Sequence, residues 1–181
     1  MLEPICKKAK FCLLMFFSCF VIVSSGQKVK ITQDGGSYKL LVDGNPFFIK
    51  GAVANDYLER IPLHGGNSIR SGSQKLDKMQ SLGLKVLVNL PAGAERSGFD
   101  YNDTIAVRKQ KERILSIVTK VKDQPAVLMW AIGNELDFIP GNLQCNLKLW
   151  DAINDIALAI KAIDPDHPVM TVVGTDRIEK K

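Results

Sequence analysis

Histidine is nearly missing from this chain, and cysteine is concentrated outside its main body. Only His64 and His167 occur in 181 residues, too isolated to make a metal site. Of the four cysteines, Cys6, Cys12 and Cys19 fall in the first 26 residues, which leaves Cys145 alone. That excludes a disulfide framework and a cysteine zinc site over the rest of the chain, and neither a metal nor another cofactor is expected. Charge of one sign does not dominate: 24 Lys and Arg face 19 Asp and Glu. The lysines are scattered along helical segments, which describes a solvated surface and not a nucleic-acid groove. No internal repeat or low-complexity tract occurs.

What the chain does have begins with a leader. Lys7, Lys8 and Lys10 precede an apolar run from Phe11 to Val23, followed by Ser24, Ser25 and Gly26. A basic start, a short apolar core and a small-residue end describe a secretory signal peptide, cleaved near Gly26. The run is shorter than the roughly 20 residues a bilayer span needs, so no stable membrane insertion is expected after cleavage. Cys19 is not expected to carry lipid, since Phe20 to Val23 continue the apolar core beyond it. Residues 1–26 are thus read as leader and residues 27–181 as one secreted or periplasmic domain. Removing the leader takes away three lysines and one glutamate and lowers the net charge from +5 to +3. A 46% hydrophobic content fits a globular domain.

In order, the domain starts with short strands and strong turns: Lys28 to Thr32, the turn Asp34-Gly35-Gly36, Tyr38 to Val42, the turn Asp43-Gly44-Asn45-Pro46, and Phe47 to Ile49. Strand and helix then alternate. Strands are expected at Asn67 to Arg70, Leu84 to Leu90, Ala126 to Ala131 and Val169 to Val173. Helices are expected at Gln74 to Leu82, at Thr104 to Val121 with Thr104 as N-cap, and at Leu147 to Ile163 with Trp150 on the apolar face. This alternation means a parallel α/β architecture of about five strands, preceded by a short N-terminal β-hairpin.

The organising stretch is Pro125 to Phe138, PAVLMWAIGNELDF. Its apolar run bounded by turn residues reads as a strand buried on both faces, and it delivers Gly133, Asn134 and Glu135 at its carbonyl end, where parallel α/β sheets collect catalytic groups. The bland alternative is that Asn134 and Glu135 cap the following segment. Trp130 reads as strand core before sugar platform. Tyr57, Phe99, Tyr101 and Phe138 offer stacking surfaces, whereas Trp150 reads as packing. Asn102-Asp103-Thr104 would be a glycosylation acceptor in a eukaryotic source.

MWAIGNELDF resembles the strand-four signature of the retaining glycosidases built on (β/α)8 barrels, in particular the catalytic domain of glycoside hydrolase family 2. LLVDGNPFFIKGAVAND is similar to that family's leading hairpin and first barrel strand, GGNSIRSG to its second strand, and LDKMQSLGLKVLVNLP to its second helix and third strand. The resemblance covers roughly residues 28 to 174 and implies a partial TIM barrel acting on a carbohydrate substrate. It implies that Glu135 is the general acid/base, that Asn134 bonds the sugar 2-hydroxyl, and that Arg70 contacts the nucleophile carboxylate. For Arg70 a surface ion pair is the plainer alternative, and for Asn134 a turn position.

The same resemblance calls for a second glutamate after a seventh strand, and no residue matches it. Glu112 falls in a helix, Glu179 in the tail, Glu59 and Glu95 in early loops. Asp137 is too close to Glu135 to reach the opposite face of a sugar. The expectation is therefore a truncated glycosidase, inactive by itself. The alternatives are a non-catalytic carbohydrate-binding remnant, or a subunit that completes a barrel by self-association or with a complementing chain.

Overall fold

The structure, a computed structural model, describes residues 27–142 and 144–174. The leader expected over residues 1–26 and Glu179 lie outside the described residues. The first layer is an antiparallel sheet: β1 (Val29–Asp34) and β2 (Ser37–Val42) form a hairpin through Gly35 and Gly36, and β3 (Asn45–Pro46) pairs back onto β2. The strand expected at Phe47 to Ile49 is not formed. Phe47 N–H makes a bond to Leu40 O (2.8 Å), and the next residues are then held by a side chain. Asn67 Oδ1 accepts from Lys50 N–H (2.9 Å) and Asn67 Nδ2 donates to Phe48 O (2.8 Å).

A second sheet follows, interleaved with helices: β4 (Gly51–Val53), α1 (Arg60–Leu63), β5 (Ser68–Ser71), α2 (Leu76–Ser81), β6 (Lys85–Leu90), α3 (Thr104–Val121), β7 (Val127–Ile132), α4 (Lys148–Ile163) and β8 (Val169–Met170). Its five strands are parallel and lie side by side in chain order. Leu76 and Met79 of α2, Ile114 and Val118 of α3, and Ile156 and Ile160 of α4 all pack with Val86, Val88, Leu90, Trp130 and Ile132 of the sheet. Strands in sequential order with these helices on one face make a barrel wall; a doubly wound sheet would reverse its order and carry helices on both faces. The partial-barrel expectation therefore holds, and five parallel strands are formed, the first at Gly51–Val53 and not at Phe47 to Ile49.

Boundaries moved for local reasons. The cap of α3 is Asp103, not Thr104: its Oδ1 accepts from Ile105 N–H (2.9 Å) and Ala106 N–H (3.0 Å), satisfying donors that a helix start leaves open. On α4 the buried face runs through Leu149, Ala152, Ile156 and Ile160, which leaves Trp150 half-buried. Leu149 turns inward to join Ala94, Tyr101 and Leu136 in a second apolar cluster. The β8 ladder stops at Met170, but the segment stays attached through Thr171 Oγ1 to Ile132 O (2.8 Å) and Glu135 N–H to Val172 O (2.8 Å). Among the described residues no helix is long and apolar enough to cross a membrane.

Among the described residues, the sheet face away from these helices is covered at its starting end alone. There Val29 packs with Leu128 and Met129, joined by Leu40, Val42, Phe47, Leu87 and Met170. The antiparallel sheet thus supplies apolar cover at the N-terminal side of the strands, and the carbonyl ends are left for polar residues.

Candidate active site

Adjacent parallel strands bring residues distant in sequence to one level. Arg70 is paired in register with Leu87, and Asn89, two positions further along β6, with Ala131 of β7. Side chains alternate along a strand. Because Val86, Val88 and Leu90 turn toward the helices, Leu87 and Asn89 turn to the opposite face, and Arg70 joins them. Arg70 Nη2 donates to Asn89 Oδ1 (3.0 Å) and to Asn134 Oδ1 (2.8 Å). Two of the three residues singled out in the sequence, Arg70 and Asn134, are therefore in direct contact. With its oxygen engaged, the polar group Asn134 has left to offer is its NH2, a donor suited to a ligand hydroxyl.

Asn89 was missed. Its signal was a polar residue at an open-face position of an otherwise apolar strand, Lys85-Val86-Leu87-Val88-Asn89-Leu90, and a strict period-2 reading would have picked it out.

Glu135 is exposed, three residues past the last residue of β7. The chain turns sharply to put it there. Gly133 has φ +66° and Glu135 itself φ +46°, a left-handed conformation that costs a non-glycine residue roughly 1–2 kcal/mol. A Cβ on Gly133 would meet the Leu136 side chain at 2.7 Å. At Gly174 a Cβ would lie 3.1 Å from Glu135 Cβ and 2.9 Å from Phe138 Cβ, so the segment after β8 passes close against the Glu135 turn. Asp137 is buried beside it, its Oδ1 accepting from Gly174 N–H (2.8 Å).

A second loop supports this turn. Between β6 and α3, residues Glu95 to Ser97 form a 3-10 turn from which Arg96 donates to the carbonyl oxygens of Glu135, Asn134 (2.9 Å) and Phe138 (3.4 Å). Tyr101, offered by the sequence as a stacking surface, is instead buried, and its hydroxyl donates to Gly93 O (2.6 Å). Burial pushes its phenol up to about 12 against the opposing effect of a Gln110 hydrogen bond, so it stays a neutral donor. Phe138 and Tyr57 remain exposed. Trp130 is core, fully buried, with Nε1 donating to Asp164 Oδ2 (2.7 Å). The same carboxylate contacts His167 Nδ1 at 2.8 Å.

No family model and no curated protein matches the sequence significantly. Solved structures do match. A Bifidobacterium dentium β-glucuronidase complexed with coumarin-3-O-glucuronide aligns with a TM-score of 0.65 at 19% identity, over 84% of this chain and 27% of that one. A glycosyl hydrolase family 2 member from Bacteroides cellulosilyticus gives 0.59 at 20% identity, over 83% and 22%. A β-D-mannosidase from Dictyoglomus thermophilum gives 0.58 at 15% identity, over 80% and 22%. The fold is similar to part of the fold of these glycosidases. At these identities the likeness is one of fold, and the chain spans about a quarter of the length of the structures it matches.

Proposed function

We propose that these residues form the acid/base half of a retaining β-glycosidase site. Glu135 protonates the departing glycosidic oxygen and, in the second step, takes a proton from the attacking water. Asn134 donates to the sugar 2-hydroxyl, and Arg70 holds Asn134 in place while its remaining N–H groups face the nucleophile carboxylate. That carboxylate, a glutamate about 5 Å from the acid in retaining enzymes, comes from outside the described residues. What supports the reading is the contact of one Arg70 nitrogen with both Asn89 and Asn134 beside Glu135. A capping role for Asn134 would not require that bridge.

A second observation favours a partner for the open wall. The edge at β4 presents Val53 at 77% exposure, with Phe48 at 80% just before it. An unpaired strand edge with apolar neighbours favours pairing with further strands. We propose that barrel strands on a complementing chain, or elsewhere in the same polypeptide, cover it. The 181-residue chain alone should then hydrolyse glycosides little or not at all, because acid catalysis without a nucleophile supplies only about 10²- to 10⁴-fold.

The test is Glu135→Gln in the completed barrel. Hydrolysis of phenyl β-glycosides, whose leaving group needs protonation, should fall by about 10²-fold or more, and that of dinitrophenyl β-glycosides far less. Equal losses on both would remove Glu135 from the acid/base role.

A further inference from the structure

The left-handed turn at Glu135 needs something to hold it, because such conformations persist only where the surroundings over-determine them. The bonds to that turn come from two directions. Glu135 N–H is taken by Val172 O (2.8 Å) and Phe138 N–H by Glu135 O (3.1 Å). The carbonyl oxygens of Asn134, Glu135 and Phe138 converge on one guanidinium, that of Arg96. Among the described residues no ion pair joins Arg96 to the Glu135 carboxylate. Its N–H groups go to the backbone, and its Cζ lies 6.0 Å from the centroid of the Phe138 ring.

We infer that Arg96 is a positioning residue for Glu135: it gathers three carbonyls of the turn and so fixes the direction in which the carboxylate leaves the backbone. The inference rests on the acid/base reading above. The choice of arginine follows from the acceptors. Several carbonyl oxygens spread around one point need a planar fork of N–H donors, which a guanidinium has and a lysine ammonium has not.

The fork is itself braced. Glu95, the preceding residue, accepts from Asn146 N–H at Oε2 (2.8 Å), so adjacent residues of one 3-10 turn grip the β7–α4 connection near its beginning and near its end. Gly98, at φ +87°, closes that turn. Behind it, Gly93 is pinned through its carbonyl by Tyr101 and through its N–H by Gln110 Oε1 (2.6 Å), and Gln110 is a buried residue of α3. The orientation of Glu135 is thus referred back, through Arg96, to a helix of the core. A displacement of about 1 Å in such a group is enough to cost on the order of 10²-fold in rate.

Arg96→Met and Arg96→Lys, made in the protein as its source produces it, test this with two readouts. In hydrogen exchange, the Glu135 and Phe138 amides should exchange about tenfold faster or more in Arg96→Met, with Val86 to Leu90 unchanged; Arg96→Lys should fall between. In kinetics of the completed barrel on phenyl β-glycosides, Arg96→Met should lower kcat with KM nearly constant and spare dinitrophenyl glycosides, and a third variant, Arg96→Ala, should recover part of its lost kcat when guanidinium chloride is added below denaturing concentrations. Unchanged exchange at Glu135 and Phe138 would overturn the inference. So would faster exchange throughout the sheet, which means general destabilisation, and so would faster loop exchange with kcat intact. If Glu135→Gln shows no dependence on leaving group while Arg96→Met still loosens the turn, it is the glycosidase reading that has failed.

Discussion

The two faces of the parallel sheet are built to different rules. Toward the helices Val86, Val88, Leu90, Trp130 and Ile132 are all completely buried, in contact with three helices. Toward the other side β5 carries Arg70 and β6 carries Leu87 and Asn89, each half-buried, and the edge strand β4 is exposed throughout. One face is finished with apolar packing; the other ends in hydrogen-bonding groups at the carbonyl ends of the strands. Substitutions on the covered face should therefore be felt in stability and, on the function proposed above, those on the open face in recognition and chemistry.

Trp130→Ala should break this division most sharply. Removing a fully buried indole usually costs about 3–5 kcal/mol, and here it also leaves the Asp164 carboxylate without one of its donors. Urea unfolding should report most of the stability of the domain lost, whereas Val53→Ala, on the open face of the exposed edge strand, should cost clearly less. Comparable losses would mean that the open face is as tightly packed in solution as the covered one.

The covered face was the more legible in sequence. Apolar period and run length located the long helix at Thr104–Val121 to the residue and β7 to within a residue, because burial against a continuous core imposes those patterns. The antiparallel sheet was announced by its Gly-rich turns. In the site, Glu135, Asn134 and Arg70 stood out through a motif, and the structure joins Arg70 to Asn134. Arg96 could not be found that way. It binds backbone carbonyls, which every residue has, so nothing in its partners' side chains marks it. Asp164 was hidden for another reason: Trp130 lies 34 residues away in sequence, and only the return of β8 beside β7 brings the carboxylate to the indole. The strand misplaced at Phe47 to Ile49 had the right composition, and lost its ladder to the Asn67 side chain.

A smaller effect sharpens the account of the covered face. Burial pushes the Asp164 carboxyl up, but hydrogen bonds from His167 and Trp130, with the His167 charge and Asp166 N–H, outweigh it and hold the group below its ordinary value. A carboxyl lowered on folding binds fewer protons in the native state than in the unfolded one, so its contribution is present above the ordinary Asp value of about 3.9 and is lost as pH falls through the folded one. Asp164→Asn should cost about 1–3 kcal/mol near neutrality. The gap between variant and wild type should narrow below about pH 4. Urea titrations at pH 7, 5 and 3 measure it, and a gap constant down to pH 3 would detach Asp164 from the acid sensitivity of the fold.

The smallest expected change is also the one that asks most of the open face. Phe48 is 80% exposed, so Phe48→Ser removes almost no intramolecular packing and should alter the stability of a dilute monomer by no more than about 0.5 kcal/mol. Its effect should appear instead in association. An exposed aromatic beside an unpaired strand edge favours contact with another chain, and replacing it by a small polar residue should shift sedimentation toward monomer and raise the concentration at which the protein aggregates. If Phe48→Ser costs 2 kcal/mol or more, and the loss grows with protein concentration, then Phe48 is covered in solution by a second copy and β4 is already paired. If the loss is large and independent of concentration, the cover comes from the chain itself, and the contrast between a finished and an unfinished face no longer holds at that edge.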